Sequence, residues 1–401
     1  MSKKNDDFFK KKKEWSTVKD ELLGCYFKPY VSKILHTYKP LVYVDCFAGK
    51  GKFDDGNPGS PLIALDVISQ CRASTTIEKT SIEATFIDLN YASELRENLK
   101  DYPWTRIVSG KYEDNIRSVL KGKNGCNVFL YIDPYGIKAL QCTLFDDFSR
   151  GNFNSIELLI NMNSFGFIRE ACHAMGTTFD NREIFDDLVE YEPTKMDASE
   201  KSIKELNEIA GGDYWRPIIV AYKRHEIDGF KAEELFAEQY CMRLTQSYKY
   251  VLNMPLRIKR NQRPKYRLIH ATNHRDGCLL MVDNICNRWQ ALQEIQSGGQ
   301  LQLWDENYDN QIVDDDDIER KTIEHFSQCD NWTSLHETLA VFFMKHGPIC
   351  STGTVKNIVK KLEKDGRLCV LRNPDISEKT KKPTMFMTEN SKQFVSVRWR
   401  A

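Results

Sequence analysis

An acidic residue followed by small residues ends an apolar segment near the start of the chain. Residues 44–53 read VDCFAGKGKF, and this motif contains Asp45, Phe47, Ala48, Gly49 and Gly51. Small residues let the backbone approach a bound ligand closely. Phosphate loops end in G-K-[ST] and dinucleotide loops read G-x-G-x-x-G, and neither pattern is present here. The motif instead suits S-adenosylmethionine, whose cationic amino-acid end favours a carboxylate. A tight structural turn is the alternative.

Two further positions are predicted to hold the nucleoside part of such a cofactor. Asp88 ends the predicted strand 84–88, and a carboxylate at this place can accept hydrogen bonds from both ribose hydroxyls. Tyr112 follows the third predicted strand and is placed to flank an adenine ring. Lone acids at strand ends are common, and a tyrosine in a surface turn is equally compatible. Both assignments therefore depend on the Asp45 motif.

A second motif could orient the group that accepts the methyl group. Residues 131–136 read YIDPYG, which resembles the D-P-P-Y motif of amino-methyltransferases. By that resemblance, Asp133 and the carbonyl of Pro134 accept hydrogen bonds from an exocyclic amine, and Tyr135 stacks on the base. Methyl transfer then depends mainly on how the amine is positioned. This chain departs from the motif, because Tyr135 replaces the second proline and Gly136 replaces the aromatic residue. A structural Asp-Pro turn is the alternative.

These motifs follow strands in a predicted alternation of strands and helices. The apolar runs that predict strands are 41–46, 84–88, 105–108, 127–132 and 156–160. Helix-length segments separate them, and Ser60 with Pro61 is a favoured helix start. Such alternation indicates parallel β-α-β units. We therefore expect an α/β fold with a doubly wound, Rossmann-like methyltransferase sheet.

The length of 401 residues exceeds the usual size of one core, so more than one domain is expected. The first domain is predicted over 1–297, with a helical insertion at about 165–247, a closing antiparallel strand pair and a last helix over 273–292. Residues 298–330 are acidic, contain four consecutive aspartates and are predicted to be a linker. Residues 331–401 predict two helices and then a basic hairpin with strands 368–371 and 384–387. That order is typical of a small winged-helix domain.

The 57 basic and 57 acidic side chains cancel, but they are segregated along the chain. Basic residues cluster at 257–267 and in the C-terminal domain. Several basic patches on a neutral protein favour a polyanionic partner, although each patch alone is compatible with a solvated surface. The residues predicted to contact nucleic acid are Arg257, Lys259, Arg260, Arg263, Lys356, Lys360 and Lys381. For the C-terminal domain, a protein-docking surface is the alternative.

Other classes of protein fit the sequence poorly. No stretch approaches the length of apolar residues needed to span a bilayer, and the lysine-rich N-terminus lacks the apolar segment of a signal peptide. The twelve cysteines form no C-x-x-C pair, and the eight histidines complete no zinc spacing, so we expect no metal site. Free thiols are typical of a reducing compartment, so the expected localisation is cytoplasmic.

The ordered set of motifs resembles the three-Cys-motif partner protein family. The residues that carry the resemblance are Trp15, Lys19, 45–51, 59–61, 133–136 and 270–273, and for the C-terminal domain 353–356 and 362–366. The resemblance implies a class I S-adenosylmethionine-dependent methyltransferase fold and, as partner, a radical-chemistry-like protein with a three-cysteine motif. By similarity to ribosomal-RNA adenine methyltransferases, Lys19 is predicted to contact the cofactor carboxylate. A solvated helix lysine is the alternative.

The function expected from these features is S-adenosylmethionine-dependent methylation of nucleic acid, DNA or RNA, at a base amine and together with that partner protein. The altered motif at 133–136 leaves a second interpretation open, a catalytically weak methyltransferase fold that binds nucleic acid or docks a partner. A protein or small-molecule methyltransferase is a third, in which the basic surfaces are incidental.

Overall fold

A computed structural model describes residues 6–74, 80–179, 197–256, 266–296 and 314–400. The chain divides into two compact units, residues 1–273 and residues 274–401. The strands of unit 1 are β1 (Leu41–Asp45), β2 (Ile82–Asp88), β3 (Arg106–Ser109), β4 (Asn127–Ile132), β5 (Ser155–Met162), β6 (Tyr250–Leu256) and β7 (Tyr266–Thr272). The predicted strands are confirmed, with ends that shift by one or two residues in most cases.

Within the described residues, these seven strands form one sheet in the order β3-β2-β1-β4-β5-β7-β6. Strands β1 to β5 are parallel, whereas β7 runs antiparallel to both β5 and β6. Every residue of β4 is buried, as expected of a central parallel strand covered on both faces. The mixed α/β fold with a mostly parallel sheet is confirmed. The chain order reverses between β1 and β4, which is where open α/β sheets bind ligands.

The helices of unit 1 cover the two faces of this sheet. They are α1 (Asp6–Lys10), α2 (Glu14–Leu35), α3 (Ser60–Ser74), α4 (Ala92–Asn98), α5 (Tyr112–Leu120), α6 (Cys142–Ser149), α7 (Ser164–Ala174), α8 (Glu200–Ala210), α9 (Trp215–Lys223) and α10 (Gly229–Leu244). Helix α3 begins at Ser60 and Pro61 as predicted. The predicted helical insertion contains α7 to α10, and its residues 180–196 lie outside the described residues.

A buried polar cluster joins α2 to the middle of the sheet. The hydroxyl of Tyr26 donates to Oε2 of Glu157, which also lies 3.0 Å from Nε2 of His270. All three residues are at most 3% exposed. His270 belongs to the 270–273 motif of the family resemblance, and its place in this cluster indicates that the motif has a structural role between β5 and β7.

Unit 2 contains helices and a small antiparallel sheet. Its elements are α11 (Arg275–Gln296), α12 (Asp315–Phe326), β8 (Thr333–Ser334), α13 (Leu335–His346), α14 (Thr352–Lys364), β9 (Leu368–Asn373) and β10 (Phe394–Trp399). The sheet order is β8-β10-β9. The side chains of Ser334 and Ser351 cap α13 and α14, as their positions predict.

Two predictions for this region are wrong. Residues 315–326 form a helix rather than part of a linker, because Ile318, Thr322 and Phe326 recur at helical spacing and are buried. The acidic residues in the first turn interact favourably with the helix dipole, but they make this segment look like a polar linker in the sequence. The rest of the predicted linker, 298–313, lies outside the described residues. The second strand of the hairpin is Phe394–Trp399 instead of 384–387, because Val395 and Val397 are its buried residues.

The boundary between the units also differs from the predicted one at residue 297. Helix α11, assigned from the sequence to the first domain, is grouped with unit 2. Its Asp283 accepts hydrogen bonds from the backbone N–H and the hydroxyl of Thr352, at 2.8 and 2.9 Å. Its Cys286 thiol lies 3.5 Å from the carbonyl oxygen of Pro348. These contacts join α11 to the residues around the start of α14. Among the described residues, no helix is both long and apolar enough to cross a membrane.

Candidate active site at the carboxyl edge of the large sheet

A cleft lies at the carboxyl ends of β1, β4 and β5, with α2 along one side. It contains about 850 Å³ of empty space, part of which is open to solvent. The residues lining it are Phe8, Phe9, Ser16, Lys19, Asp20, Phe47, Ala48, Gly49, Gly51, Lys52, Phe53, Gly59, Ser60, Asp133, Pro134, Tyr135, Asn161, Asn163 and Tyr266. Both predicted motifs contribute to this one cleft. The register explains this, because Asp45 pairs with Tyr131 and brings the motif after β1 beside the motif after β4.

The loop after β1 is held in a shape that requires glycine. Gly49 and Gly51 have φ angles of +58° and +76°, which side-chain-bearing residues rarely adopt. The backbone N–H of Gly49 donates to Asp88 at 2.8 Å, and the N–H of Gly59 donates to the carbonyl of Gly51 at 3.0 Å. A Cβ on Gly51 would lie 2.7 Å from Leu95. The loop is therefore anchored to β2, to α4 and to the start of α3.

Asp45 lies beneath this loop and is not itself among the residues that line the cleft. It is fully buried, accepts a hydrogen bond from the hydroxyl of Ser60 at 2.6 Å, and accepts another from the N–H of Phe47 at 3.1 Å. Burial raises the pKa of Asp45 to about 7, while those two hydrogen bonds act in the opposite direction. Its direct partners are thus protein groups that shape the cleft.

An ion pair within the cleft joins α2 to the end of β4. The ammonium of Lys19 donates to both carboxylate oxygens of Asp133, at 2.8 and 2.6 Å. The side-chain amide of Asn161, on β5, donates to the same carboxylate at 2.6 Å. Lys19 is 8% exposed and Asp133 is 23% exposed. The sequence places Lys19 against a cofactor carboxylate, but in this structure the carboxylate it contacts is Asp133.

Asp20, which follows Lys19 on α2, is a site residue that sequence reasoning missed. Its carboxylate lies 2.7 Å from the ammonium of Lys12. Burial raises the pKa of Asp20 to about 6, and Lys12 acts against this shift. A signal was available, since an acid on the apolar face of an amphipathic helix requires a partner. Asp20 and Asp133 also raise the pKa of Asp45, so three carboxyl groups interact around the cleft.

The aromatic side of the cleft comes partly from the N-terminal segment, which sequence reasoning also missed. The Phe9 ring is 4% exposed and packs against Tyr91 and Phe53, with ring centroids 4.9 and 5.8 Å away. The Phe8 ring meets Tyr135 edge to face at 5.5 Å. Tyr135, predicted to stack on the base, is 38% exposed, so part of the residue is open to a ligand and the rest is covered.

The two residues predicted for the nucleoside are not among those lining the cleft. Asp88 accepts hydrogen bonds from the N–H groups of Gly49, Asn90 and Tyr91, at 2.7 to 2.8 Å. Tyr112 is 2% exposed, and burial raises its pKa well above the ordinary value. Its ring lies 5.4 Å from that of Phe47. Both residues contact the loop after β1, Asp88 through Gly49 and Tyr112 through Phe47.

Of the seven residues predicted to contact nucleic acid, three belong to unit 2 and four lie outside the described residues. Arg257, Lys259, Arg260 and Arg263 lie outside the described residues. In unit 2, Lys356 is half-buried on α14, whereas Lys360 on the same helix and Lys381 in the β9–β10 connection are exposed. Within the described residues, no group of three or more His, Cys, Asp or Glu side chains is arranged to hold a metal ion.

Parts of the cleft fit S-adenosylmethionine by the chemistry of the residues present. Its sulfonium and ammonium groups are cations, and the cleft brings Asp20 and Asp133 together with aromatic rings. Two buried polar atoms of cleft residues, Ser16 Oγ and Asn161 Oδ1, have no hydrogen-bond partner among the described residues. Such orphaned groups are rare in protein interiors and suggest a ligand. For the adenosine part, the fit rests on Phe47 and the glycine loop.

No protein-family profile matches the chain, and no curated protein matches it either. Among solved structures, it is similar to a loganic acid methyltransferase with SAH, at 10% sequence identity and a TM-score of 0.28, over 96% of this chain and 95% of that chain. A TM-score this low does not show a shared fold. The resemblance to the three-Cys-motif partner family therefore rests on the sequence motifs alone.

Proposed function

We propose that this protein is an S-adenosylmethionine-dependent methyltransferase that acts on nucleic acid at a base amine. The observation that carries the proposal is that the motif after β1 and the motif after β4 line the same cleft. Asp133 is held by Lys19 and Asn161 beside Tyr135, in the same cleft as the loop Phe47–Gly51. The cleft opens where the order of the sheet reverses, and this is the expected place for a nucleoside cofactor. The sheet order also agrees with the doubly wound sheet implied by the family resemblance.

The residues of the chain would act by positioning and by electrostatics. When bound, S-adenosylmethionine supplies a methyl group on a sulfonium, which an amine lone pair can attack while sulfur keeps the bonding pair. Two hydrogen bonds from Lys19 hold the Asp133 side chain in place, so Asp133 can accept a hydrogen bond from the amine and direct its lone pair. Because Asp133 is 23% exposed, a proton that it accepts from the product can pass to solvent. Tyr135 offers a ring face for the base.

Asp133→Asn tests the proposal most directly. The substitution keeps the shape of the side chain and removes its charge, so methyl transfer should fall by about 100-fold or more, by analogy with other positioned catalytic groups. The measurement is transfer of tritium from labelled S-adenosylmethionine to total DNA and total RNA, followed by nuclease or protease digestion of the product. Asp147→Asn is the matched control, since Asp147 is in an exposed ion pair with Arg117 outside the cleft. Label that resists nuclease but not protease would contradict the nucleic-acid substrate.

We further propose that residues of unit 2 form a winged helix that holds duplex nucleic acid through phosphates. Helix, turn, helix and then a hairpin is the order of α13, α14, β9 and β10. Exposed Lys360 and Lys381 supply charge on the second helix and on the hairpin connection. Titration of the full chain with duplex DNA at several salt concentrations tests this. Lys360→Ala and Lys381→Ala should each flatten the salt dependence by about one unit, and an unchanged slope would favour a protein-docking surface.

The cooperation with a three-cysteine-motif protein follows from the family resemblance and is part of the proposal. Adding that protein to the tritium assay should raise transfer, and no change would contradict a role in catalysis.

A second candidate is a methyltransferase fold that binds without catalysis. The observation that favours it is the engagement of Asp88 and Asp45 by protein groups, together with the cover of Phe9 over the glycine loop. Equilibrium binding of S-adenosylmethionine separates the candidates. Tight binding with no tritium transfer to any acceptor would support this second function.

A further inference from the structure

Asn161 carries an unused hydrogen-bond acceptor within the candidate active site. It lies on β5, is 3% exposed and lines the cleft. Its Nδ2 donates to Asp133 Oδ1 at 2.6 Å. The orientation of the amide is determined by this contact, because the flipped amide would place two oxygens against each other. Its Oδ1 therefore faces away from Asp133, and no donor among the described residues reaches it.

An orphaned acceptor at this depth costs folding free energy. Leaving a buried polar group without a partner costs about 1–3 kcal/mol, and each such group calls for an explanation. A leucine would fit a similar volume without this cost. Two other polar groups of the cleft are already engaged, because Asn163 Oδ1 caps α7 and Lys19 bonds Asp133, and the hydroxyl of Ser16 does not reach Asn161 either. A donor supplied by a bound molecule is the explanation that uses the position of Asn161 in the cleft.

The occupancy of Asp133 shows which kind of donor is missing. Its Oδ1 already accepts from both Lys19 and Asn161, and its Oδ2 accepts from Lys19. A carboxylate has about four acceptor positions, so roughly one remains for an incoming amine, which has two N–H donors. Asn161 Oδ1 belongs to the same cluster and is a neutral acceptor. A base that presents a carbonyl oxygen at this place would instead set oxygen against oxygen.

We propose that Asn161 is the specificity-determining residue for the methyl acceptor, with Oδ1 accepting a hydrogen bond from the exocyclic amine of a nucleic-acid base. The site thereby selects adenine or cytosine over the matching oxo bases, hypoxanthine or uracil. This inference rests on the proposed function. It concerns recognition rather than transfer, so binding tests it without any methylation. A site built to hydrogen-bond an amine rejects an analogue that lacks it, because the buried acceptor is then left unpaired.

The experiment measures binding of full-length protein to fluorescent single-stranded 20-mers in the presence of saturating S-adenosylhomocysteine. The probes are oligo(dA) against oligo(dI), and oligo(dC) against oligo(dU). Within each pair the phosphate charge is the same, so basic surfaces contribute equally. The wild type should bind at least one amine-bearing probe about 10-fold more tightly than its oxo partner, as expected for one lost base contact.

Asn161→Leu should reduce this preference to below about 2-fold, through weaker binding of the amine-bearing probe. Asn161→Ala provides a second variant, and thermal unfolding shows which of the two is folded. Asn152→Leu is the matched control, because Asn152 is exposed and lies outside the lining of the cleft. Equal binding of all probes by the wild type, or a preference that survives in both folded variants, would overturn the inference.

The two proposals fail in different ways. Amine preference without tritium transfer would contradict the enzymatic function and leave base selection by Asn161 in place. Tritium transfer with no amine preference would leave the enzyme in place and overturn the role of Asn161.

Discussion

At the scale of single residues, the candidate site depends most on the ion pair between Lys19 and Asp133. Lys19 is nearly buried, and both its hydrogen bonds to Asp133 are shorter than 3 Å. Surface ion pairs contribute little to stability, but removing one partner of a desolvated pair leaves the other charge uncompensated. The pair therefore joins the stability of unit 1 to the geometry of the site.

Lys19→Met should lower the free energy of unfolding by about 1–3 kcal/mol, because Asp133 loses its charged partner and, among the described residues, retains only the amide of Asn161. Urea unfolding measures this loss. The control is Lys100→Met, whose ion pair with Glu97 is exposed on both sides and should be neutral. Equal stability of the two variants would contradict a structural role for the Lys19 pair. If methylation is established, Lys19→Met should also reduce it more than Lys100→Met does.

Asp45 predicts a particular dependence of stability on pH. Its pKa in the folded protein is about 7, above the ordinary value of 3.8. The folded state therefore binds the extra proton, and this contribution to stability is complete below about pH 4 and lost as pH rises through 7. An asparagine side chain at this position would not titrate. As pH rises from 5 to 7, Asp45→Asn should therefore become more stable relative to wild type, by up to about 1.4 kcal/mol per pH unit.

Urea unfolding of the wild type and Asp45→Asn at pH 5, 6, 7 and 8 measures this difference. Asp147→Asn, on the exposed surface of α6, provides the same substitution without burial. A stability difference between Asp45→Asn and wild type that stays constant across this range would show that the carboxyl of Asp45 is not perturbed.

At the scale of elements, the shape of the loop after β1 is decided by its neighbours. Gly51 has a φ of +76°, and a Cβ added to it would clash with the buried Leu95 at 2.7 Å. Gly56 has a φ of +88° and open space around it. The two glycines therefore separate the cost of backbone strain from the cost of a steric clash.

Gly56→Ala should destabilise unit 1 by about 1 kcal/mol through strain alone. Gly51→Ala should cost about 1–3 kcal/mol more, because Leu95 is packed and cannot move away without disturbing α4. Thermal or urea unfolding of both variants measures the difference. Similar losses in the two proteins would show that Leu95 adapts and that the close approach of the loop to α4 is not required.

At the scale of the whole molecule, the position of the boundary between the units matters most. Helices α11 and α12 belong to unit 2, and Ile318 and Phe326 of α12 are 4% and 0% exposed. A fragment that begins at the sequence-predicted residue 331 would lack both helices and expose their binding surfaces on α13 and α14. Unit 2 is therefore a domain of residues 274–401 rather than 331–401.

The fragment 274–401 should unfold cooperatively in urea, whereas the fragment 331–401 should show no cooperative transition, because it loses part of its core. Circular dichroism of both fragments measures this. A cooperative transition of the shorter fragment would show that α11 and α12 are accessory to its fold. Duplex-binding experiments on an isolated domain should use the longer fragment.

The sequence by itself determined the elements with strong local patterns. Continuous apolar runs such as Asn127–Ile132 and capped starts such as Ser60–Pro61 depend only on neighbouring residues, so the five parallel strands and most helices follow from them. Parallel order and the strand-end placement of Asp45 and Asp133 follow too. The α/β fold and the location of the candidate site could therefore be predicted, whereas the family and its activity stay predictions.

Only the tertiary structure decided which side chains meet. Lys19 and Asp133 are separated by 114 positions, and their ion pair depends on how α2 packs beside the sheet. The same packing leaves Asn161 Oδ1 without a donor among the described residues and brings Phe9 over Gly49. It also directs three backbone N–H groups to the carboxylate of Asp88. Periodicity reports which face of an element is apolar, but partners distant in the chain are selected by three-dimensional packing, and no local pattern contains that information.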